Sequence, residues 1–236
     1  MKDLQKAMLA EKKYINQRIN NINANFNEQL LKCGYQSIDE YFEDKRKYMF
    51  SQWNPEVNYI DEDFLDTQME ANIQNGVDGI YIIVPKSKYY AFHGDDKINY
   101  EQCYELNVRP IEMHYKGGTI IGSKEDLGIL LVIHRDMMMT NHIIMQRIID
   151  IIKKDCPDAM VDGNDILING EKVMGSMTRY VGNYFIWAAQ FSFASHNELI
   201  EKICEKEQKK RPARFKFLTK QTIEKELIEW LKSQEL

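Results

Sequence analysis

The stretch from Asp162 to Tyr180, DGNDILINGEKVMGSMTRY, gathers the densest set of groups able to do chemistry in this 236-residue chain. Asn164 and Asp165 precede a short apolar run, Asn169-Gly170 follows it, and Lys172, Gly175 and Ser176 come next. Asn-Gly between alternating apolar residues is a strong hairpin signal, because both turn positions tolerate positive φ. A hairpin there sets the Asn-Asp pair at the mouth of its first strand and Lys172 near the turn. An amide, a carboxylate and an ammonium so gathered can hold a metal-bound phosphate and neutralise a developing anion. The same residues also suit a plain solvated hairpin.

Other candidate groups carry less. Cys33, Cys103, Cys156 and Cys204 are scattered without a C-x-x-C and are expected to be buried structural thiols; Cys103, a conceivable acyl-enzyme nucleophile, falls in a predicted helix. His134-Arg135-Asp136 is not followed by the residues a kinase loop requires, and His134 and His142 lack a third metal ligand. Met137-Met138-Met139 reads as soft core filling. The basic run Lys209–Arg214, followed by Phe215 and Phe217, suits a solvated loop or a contact to phosphates or an acidic acceptor domain.

Elements must position these groups. Residues 1–55 read as a helical extension, with Met8, Ile15, Ile19, Ile22, Phe26 and Leu30 along one face. Gly34 suits a C-cap, and Ser37 with Glu40 forms a capping box for a second helix. Such a pair either packs on its own chain or docks on another subunit. Asn54-Pro55 marks a boundary, and residues 56–236 read as one domain. There a helix is expected over Asp61–Asn75, then strands at Ile80–Val84, Tyr89–Phe92, Ile111–His114, Thr119–Ile121, Ile129–His134, Ile166–Ile168, Lys172–Met177 and Tyr184–Phe193. Helices are expected over Thr140–Lys154, from an Asn197 cap to Lys206, and from Thr222. The pattern predicts an α+β domain with a mixed, largely antiparallel sheet flanked by helices.

Composition agrees with a soluble, cytoplasmic protein. Apolar residues make up 44% and charged residues 28%, and no apolar run approaches a membrane span. With 31 basic against 36 acidic residues the net charge is −5, which argues against general nucleic-acid binding. The abundance of Ile, Lys, Asn and Tyr is associated with AT-rich coding genomes, such as those of low-GC bacteria and many phages.

The string NDILINGEKVMGSM resembles the ND-x-x-x-NG-x-K-x-x-G signature of biotin- and lipoate-protein ligases. About fifty residues upstream, VRPIEMHYKGGTIIGSKEDLGILL resembles the glycine-rich adenylate loop of lipoate-protein ligase A-like enzymes, R-R-x-[ST]-G-G-G-A-V-x-H. The order and spacing fit over roughly residues 60 to 235. The resemblance implies the class II synthetase-like ligase fold. It also implies a two-step reaction: ATP with Mg²⁺ activates lipoate, octanoate or biotin as an acyl-adenylate, and the acyl group passes to a lysine of an acceptor protein. It assigns Lys172 to the activated carboxyl and phosphate as the catalytic lysine, and Asn164 and Asp165 to the nucleotide and metal side. Lys116, Gly117, Gly118 and Thr119 fall to the ligand loop, and Gly175 and Ser176 to the ligand side of the hairpin. Glycines there allow close approach, and backbone N–H groups with Lys⁺ stabilise a phosphate.

The departures are specific. Aligned on the glycines, the family's arginines fall on Glu112 and Met113, its first glycine on Lys116, and its closing histidine on Gly122 or Ser123. The later H-G-[ST] element is replaced by Phe185-Ile186-Trp187-Ala188-Ala189. A carboxylate in place of a guanidinium reverses the charge beside an anionic ligand. The alternative to an active ligase is therefore a lapsed one, kept as a binding or structural component of an assembly, including a phage one, with residues 1–55 available for oligomerisation.

Overall fold

Two helices open the chain, α1 (Lys2–Lys32) and α2 (Ile38–Ser51). Between them Gly34 takes φ +91°, a conformation that suits glycine. Its N–H donates to Leu31 O, and that of Tyr35 donates to Leu30 O. One arm of the expected capping box forms, the Glu40 N–H donating to Ser37 Oγ at 3.1 Å, while the Glu40 carboxylate accepts from the Gln36 N–H at 2.6 Å, one residue before the cap. Ile22, Phe26 and Leu31 on α1, with Ile38, Phe42 and Tyr48 on α2, keep large apolar side chains in water.

The computed structural model describes residues 2–51, 53–67, 78–94, 97–112, 119–137, 139–204 and 214–233, and the chain divides into two units, Met1–Met49 and Phe50–Leu236. None of the described helices is long and apolar enough to cross a membrane.

The second unit is mixed α+β. Its elements run β1 (Val57–Ile60), α3 (Glu62–Thr67), β2 (Gly79–Ile83), β3 (Tyr89–His93), α4 (Tyr100–Glu105), β4 (Val108–Glu112), β5 (Ile120–Ser123) and β6 (Leu127–His134). There follow α5 (Asn141–Lys153), β7 (Met160–Asp162), β8 (Asp165–Ile168), β9 (Glu171–Val181), β10 (Tyr184–Phe191), α6 (Asn197–Ile203) and α7 (Lys220–Ser233). Seven strands form one sheet in the order β1-β2-β6-β10-β9-β8-β7, antiparallel throughout except for the β1–β2 pair. A smaller sheet, β4-β3-β5, pairs β3 with β4 in parallel.

Side-chain alternation gives the large sheet two apolar faces. Tyr81, Ile83, Leu130, Val132, Met177, Ile186 and Ala188 share one core with Tyr90, Phe92 and Ile111 of the small sheet. Trp187 projects from the opposite face and meets the start of α5. Thr140 caps α5, its Oγ1 accepting from the Ile143 N–H, and the β-branched Ile144, Ile148, Ile151 and Ile152 are buried. Each large apolar side chain so buried contributes about 1.5–3 kcal/mol, which outweighs the modest helix propensity of isoleucine.

Several boundaries differ from expectation. β1 and β7 escaped the sequence reading because four- and three-residue edge strands carry too little pattern. β4 begins at Val108 rather than Ile111. His196, not Asn197, is the cap residue of α6, and α7 starts at Lys220 rather than Thr222. Cys33 is exposed while Cys103 and Cys156 are buried, so the expectation of buried thiols fails at that position. The expected helix beyond Thr67 and the basic run 209–213 lie outside the described residues.

Candidate functional site

Asn169 (φ +54°) and Gly170 (φ +79°) close the β8–β9 hairpin with two consecutive positive φ angles, as a type I′ turn requires. The hairpin is not regular beyond its turn. Ile166 pairs with Met174 and Leu167 with Lys172, which leaves Val173 as an extra residue in β9. This bulge decides the chemistry. Lys172 and Gly175 are three positions apart, so a regular strand would point them to opposite faces. The extra residue restores Lys172 to the face of Leu167, and hence of Asp165 and its register partner Gly175.

On that face the Lys172 chain folds over Gly175. A Cβ at Gly175 would lie 2.8 Å from Lys172 Cε and 2.9 Å from its Nζ, so only glycine leaves the space the lysine occupies. Lys172 Nζ then reaches Asp165 Oδ1 at 3.1 Å, with both side chains about four-fifths buried. A partly desolvated ammonium–carboxylate pair holds its geometry better than an exposed one, and the ammonium retains donors for an incoming oxygen.

One register row crosses five strands at this level: Ile83, Gly128, Gln190, Gly175 and Asp165. Gln190 is buried, and its Oε1 accepts from Tyr90 Oη at 2.6 Å. The Tyr90 ring fills the space above two glycines: a Cβ at Gly122 would lie 2.3 Å from Tyr90 Cζ, and one at Gly128 would lie 2.9 Å from its Oη. Burial pushes the Tyr90 phenol far above its ordinary value, so it stays a donor across the working pH range.

Asn164 and Ser176 behave differently from expectation. Asn141, the first residue of α5, donates from Nδ2 to Asn164 Oδ1 at 2.9 Å and accepts at Oδ1 from Trp187 Nε1 at 2.9 Å. Ser176 Oγ donates to the Asn164 carbonyl at 2.9 Å and lies 3.5 Å from Asn141 Oδ1. These side chains belong to the α5 face of the sheet, away from Lys172, and tie the hairpin to the helix. The six candidates described thus divide: Lys172, Asp165 and Gly175 meet, Asn164 and Ser176 meet elsewhere, and Thr119 stands on the smaller sheet's side. Thr119 is buried just before β5, and its Oγ1 has no hydrogen-bond partner among the described residues. Lys116, Gly117 and Gly118 lie outside the described residues.

Sequence reasoning missed Asn141, Tyr90 and Gln190. Gln190 had a usable signal, a polar residue inside the apolar run FIWAAQF of a strand. The β5–β6 turn, with Glu125 and Asp126, contains a structural hub. Asp126 accepts from the Ser123, Phe193 and Ala194 N–H groups, from Ser123 Oγ, and pairs with buried His196, which joins the β5–β6 turn to the segment after β10. Glu112 ends β4 as an exposed carboxylate in register with His93. Among the described residues no group of three or more His, Cys, Asp or Glu side chains is placed to hold a metal ion. Asp165 can supply one hard oxygen ligand, as suits a magnesium ion held otherwise by phosphates and water.

No family model matches the sequence, and no curated protein matches it. Solved structures do match. The chain is similar to lipoate-protein ligase A bound with ATP (TM-score 0.59, 12% identity, covering 77% of this chain and 85% of that one). It is similar to a structure described as that of an archaeal lipoylation system, a bi-partite lipoate protein ligase and its E2 lipoyl domain from Thermoplasma acidophilum (0.58, 13%, 78% and 84%). It is also similar to P. falciparum LipL1 in complex with lipoate (0.56, 14%, 77% and 62%). Identities this low establish the shared α+β fold.

Proposed function

We propose that this chain, which has the fold of the lipoate-protein ligases, binds a carboxylic acid of the lipoate, octanoate or biotin kind and activates it with ATP for transfer to a lysine of an acceptor protein. The observation that carries this function is the bulge at Val173, which sets Lys172 beside Asp165 over Gly175. In the first step a carboxylate oxygen of the acid bonds to the α-phosphorus of ATP, and pyrophosphate leaves. In the second an acceptor amine bonds to the acyl carbon, the acyl–phosphate bond breaks and AMP departs with its electron pair. Both steps gather negative charge on oxygens near the phosphate, where an ammonium held in a largely buried pair stabilises it. Asp165 holds the ammonium and would be the residue to bind a Mg²⁺ ion, which would supply neutralisation of phosphate charge.

ATP–pyrophosphate exchange with lipoate, octanoate and biotin tests this function. Exchange in the native chain, falling at least about a hundredfold in Lys172→Ala, is the expected result. No exchange with any of the three acids overturns it.

A second function, the same fold kept for binding with catalysis lapsed, is favoured by Glu112, a carboxylate where the resembling enzymes carry arginine. It predicts acid or nucleotide binding without exchange.

A further inference from the structure

The Lys172–Asp165 pair accounts for one end of the polar strip on the inner face of the large sheet. The other end is Gln190, and half of its amide is unaccounted for. Gln190 is 98% buried, its Oε1 is engaged by Tyr90, and its Nε2 has no hydrogen-bond partner among the described residues. A buried donor left unpaired costs roughly 1–3 kcal/mol, and proteins keep such groups where an acceptor arrives from outside.

The position of that donor says which acceptor. Gln190 lies between two glycines in register, Gly128 on one side and Gly175 on the other. Its Oε1 sits over Gly128, 3.0 Å from where a Cβ would be. On the opposite side Gly175 contributes no side chain, and the Lys172 ammonium occupies that place. Directly opposed residues in an antiparallel pair carry their Cβ atoms about 5 Å apart, so the amide and the ammonium border one short stretch of the same face. Two donors, one neutral and one cationic, with one carboxylate already matched to the cation, form a seat for an oxygen-bearing anionic head group.

Resting on the ligase-like function above, we propose that Gln190 is a binding residue of this site, donating from Nε2 to a carboxylate or acyl oxygen of the ligand whose other oxygen faces Lys172. Tyr90 orients it. Its hydroxyl donates to Oε1 at 2.6 Å, which leaves Nε2 as the arm for the ligand. The same Tyr90 ring covers Gly128, so the seat is closed on the side of Ile83, and an acyl chain must leave it in another direction or displace that ring.

Side-chain amide NMR on the ¹⁵N-labelled full chain tests this, with octanoate, lipoate and biotin as probes and Gln190→Leu to identify the Gln190 NH₂ pair. Octanoate is expected to move that pair saturably, and Gln190→Leu to weaken octanoate binding at least about tenfold, the usual loss for a hydrogen bond to a charged acceptor. Binding that depends on Lys172 while the Gln190 pair stays still, or an unchanged affinity in Gln190→Leu, overturns the assignment and leaves the ligase-like function standing. A moving Gln190 pair in a protein without pyrophosphate exchange supports the assignment and removes the adenylating activity. If no signal of the native chain moves with any of the three acids, both fall. Where Gln190→Leu fails to fold, through-bond assignment of the ¹³C,¹⁵N-labelled full chain identifies the pair in its place, and the native-chain spectra decide.

Discussion

A methyl group at position 175 would lie 2.8 Å from Lys172 Cε, so Gly175→Ala forces the lysine off its pair with Asp165. The displaced atoms are the far end of a flexible side chain. Stability is therefore expected to change by less than about 1 kcal/mol, while pyrophosphate exchange falls at least about tenfold. Thermal melting and the exchange assay on one preparation separate the two effects. Lys172, Asp165 and Gly175 were named from the sequence as parts of one hairpin, but the Asn-Gly turn alone would oppose Asp165 to Met174; the bulge at Val173 brings it opposite Gly175. Asn164 and Ser176, each next to a member of that group, take the α5 side of the sheet, because neighbouring residues of a strand alternate between its faces.

The hairpin itself is positioned by α5, through Asn141. Asn141→Leu leaves Trp187 Nε1 buried without its acceptor and frees Asn164 from its side-chain donor. A loss of about 1–3 kcal/mol is expected, measured by urea denaturation. If the link serves only stability, exchange at low temperature stays near the native level; a parallel fall in exchange would show that α5 also aligns the Lys172 strand. The longer elements were legible because a buried strand or helix repeats its pattern over enough residues to be read. The short edge strands β1 and β7 were not, since three or four residues carry no period of their own.

Acidity acts on the whole molecule through groups whose ordinary titration the fold has moved. Burial holds the imidazole of His93, in register with Glu112 and 3.1 Å from Tyr100 Oη, below its ordinary value of 6.5. The unfolded chain therefore takes up that proton first as pH falls. Stability present above 6.5 is lost as pH falls through the folded value, and melting temperature is expected to drop between pH 7 and pH 5, with a shallower drop in His93→Asn. A second loss is expected below pH 4, where Asp61, lowered by its bond with Lys86, and Asp63, lowered by Arg109, must be protonated. At the scale of assembly, exposed Ile22, Phe26 and Leu31 on α1 and Phe42 on α2 give the helical unit apolar surface to bury against another chain. Light scattering is expected to show an oligomer for the full chain and a monomer for one beginning at Asn54. Equal masses would leave the helices without that role. What the sequence determined by itself was local: the capping box, the Asn-Gly hairpin, the long amphipathic elements and the order of two motifs, all set by neighbours a few residues apart. Only the tertiary structure decided that Val173 is extruded, that Lys172 shares a face with Asp165, and that Tyr90 and Gln190 complete the row. Those relations join strands distant in the chain, and register and packing between sheets, not residue preference, determine them.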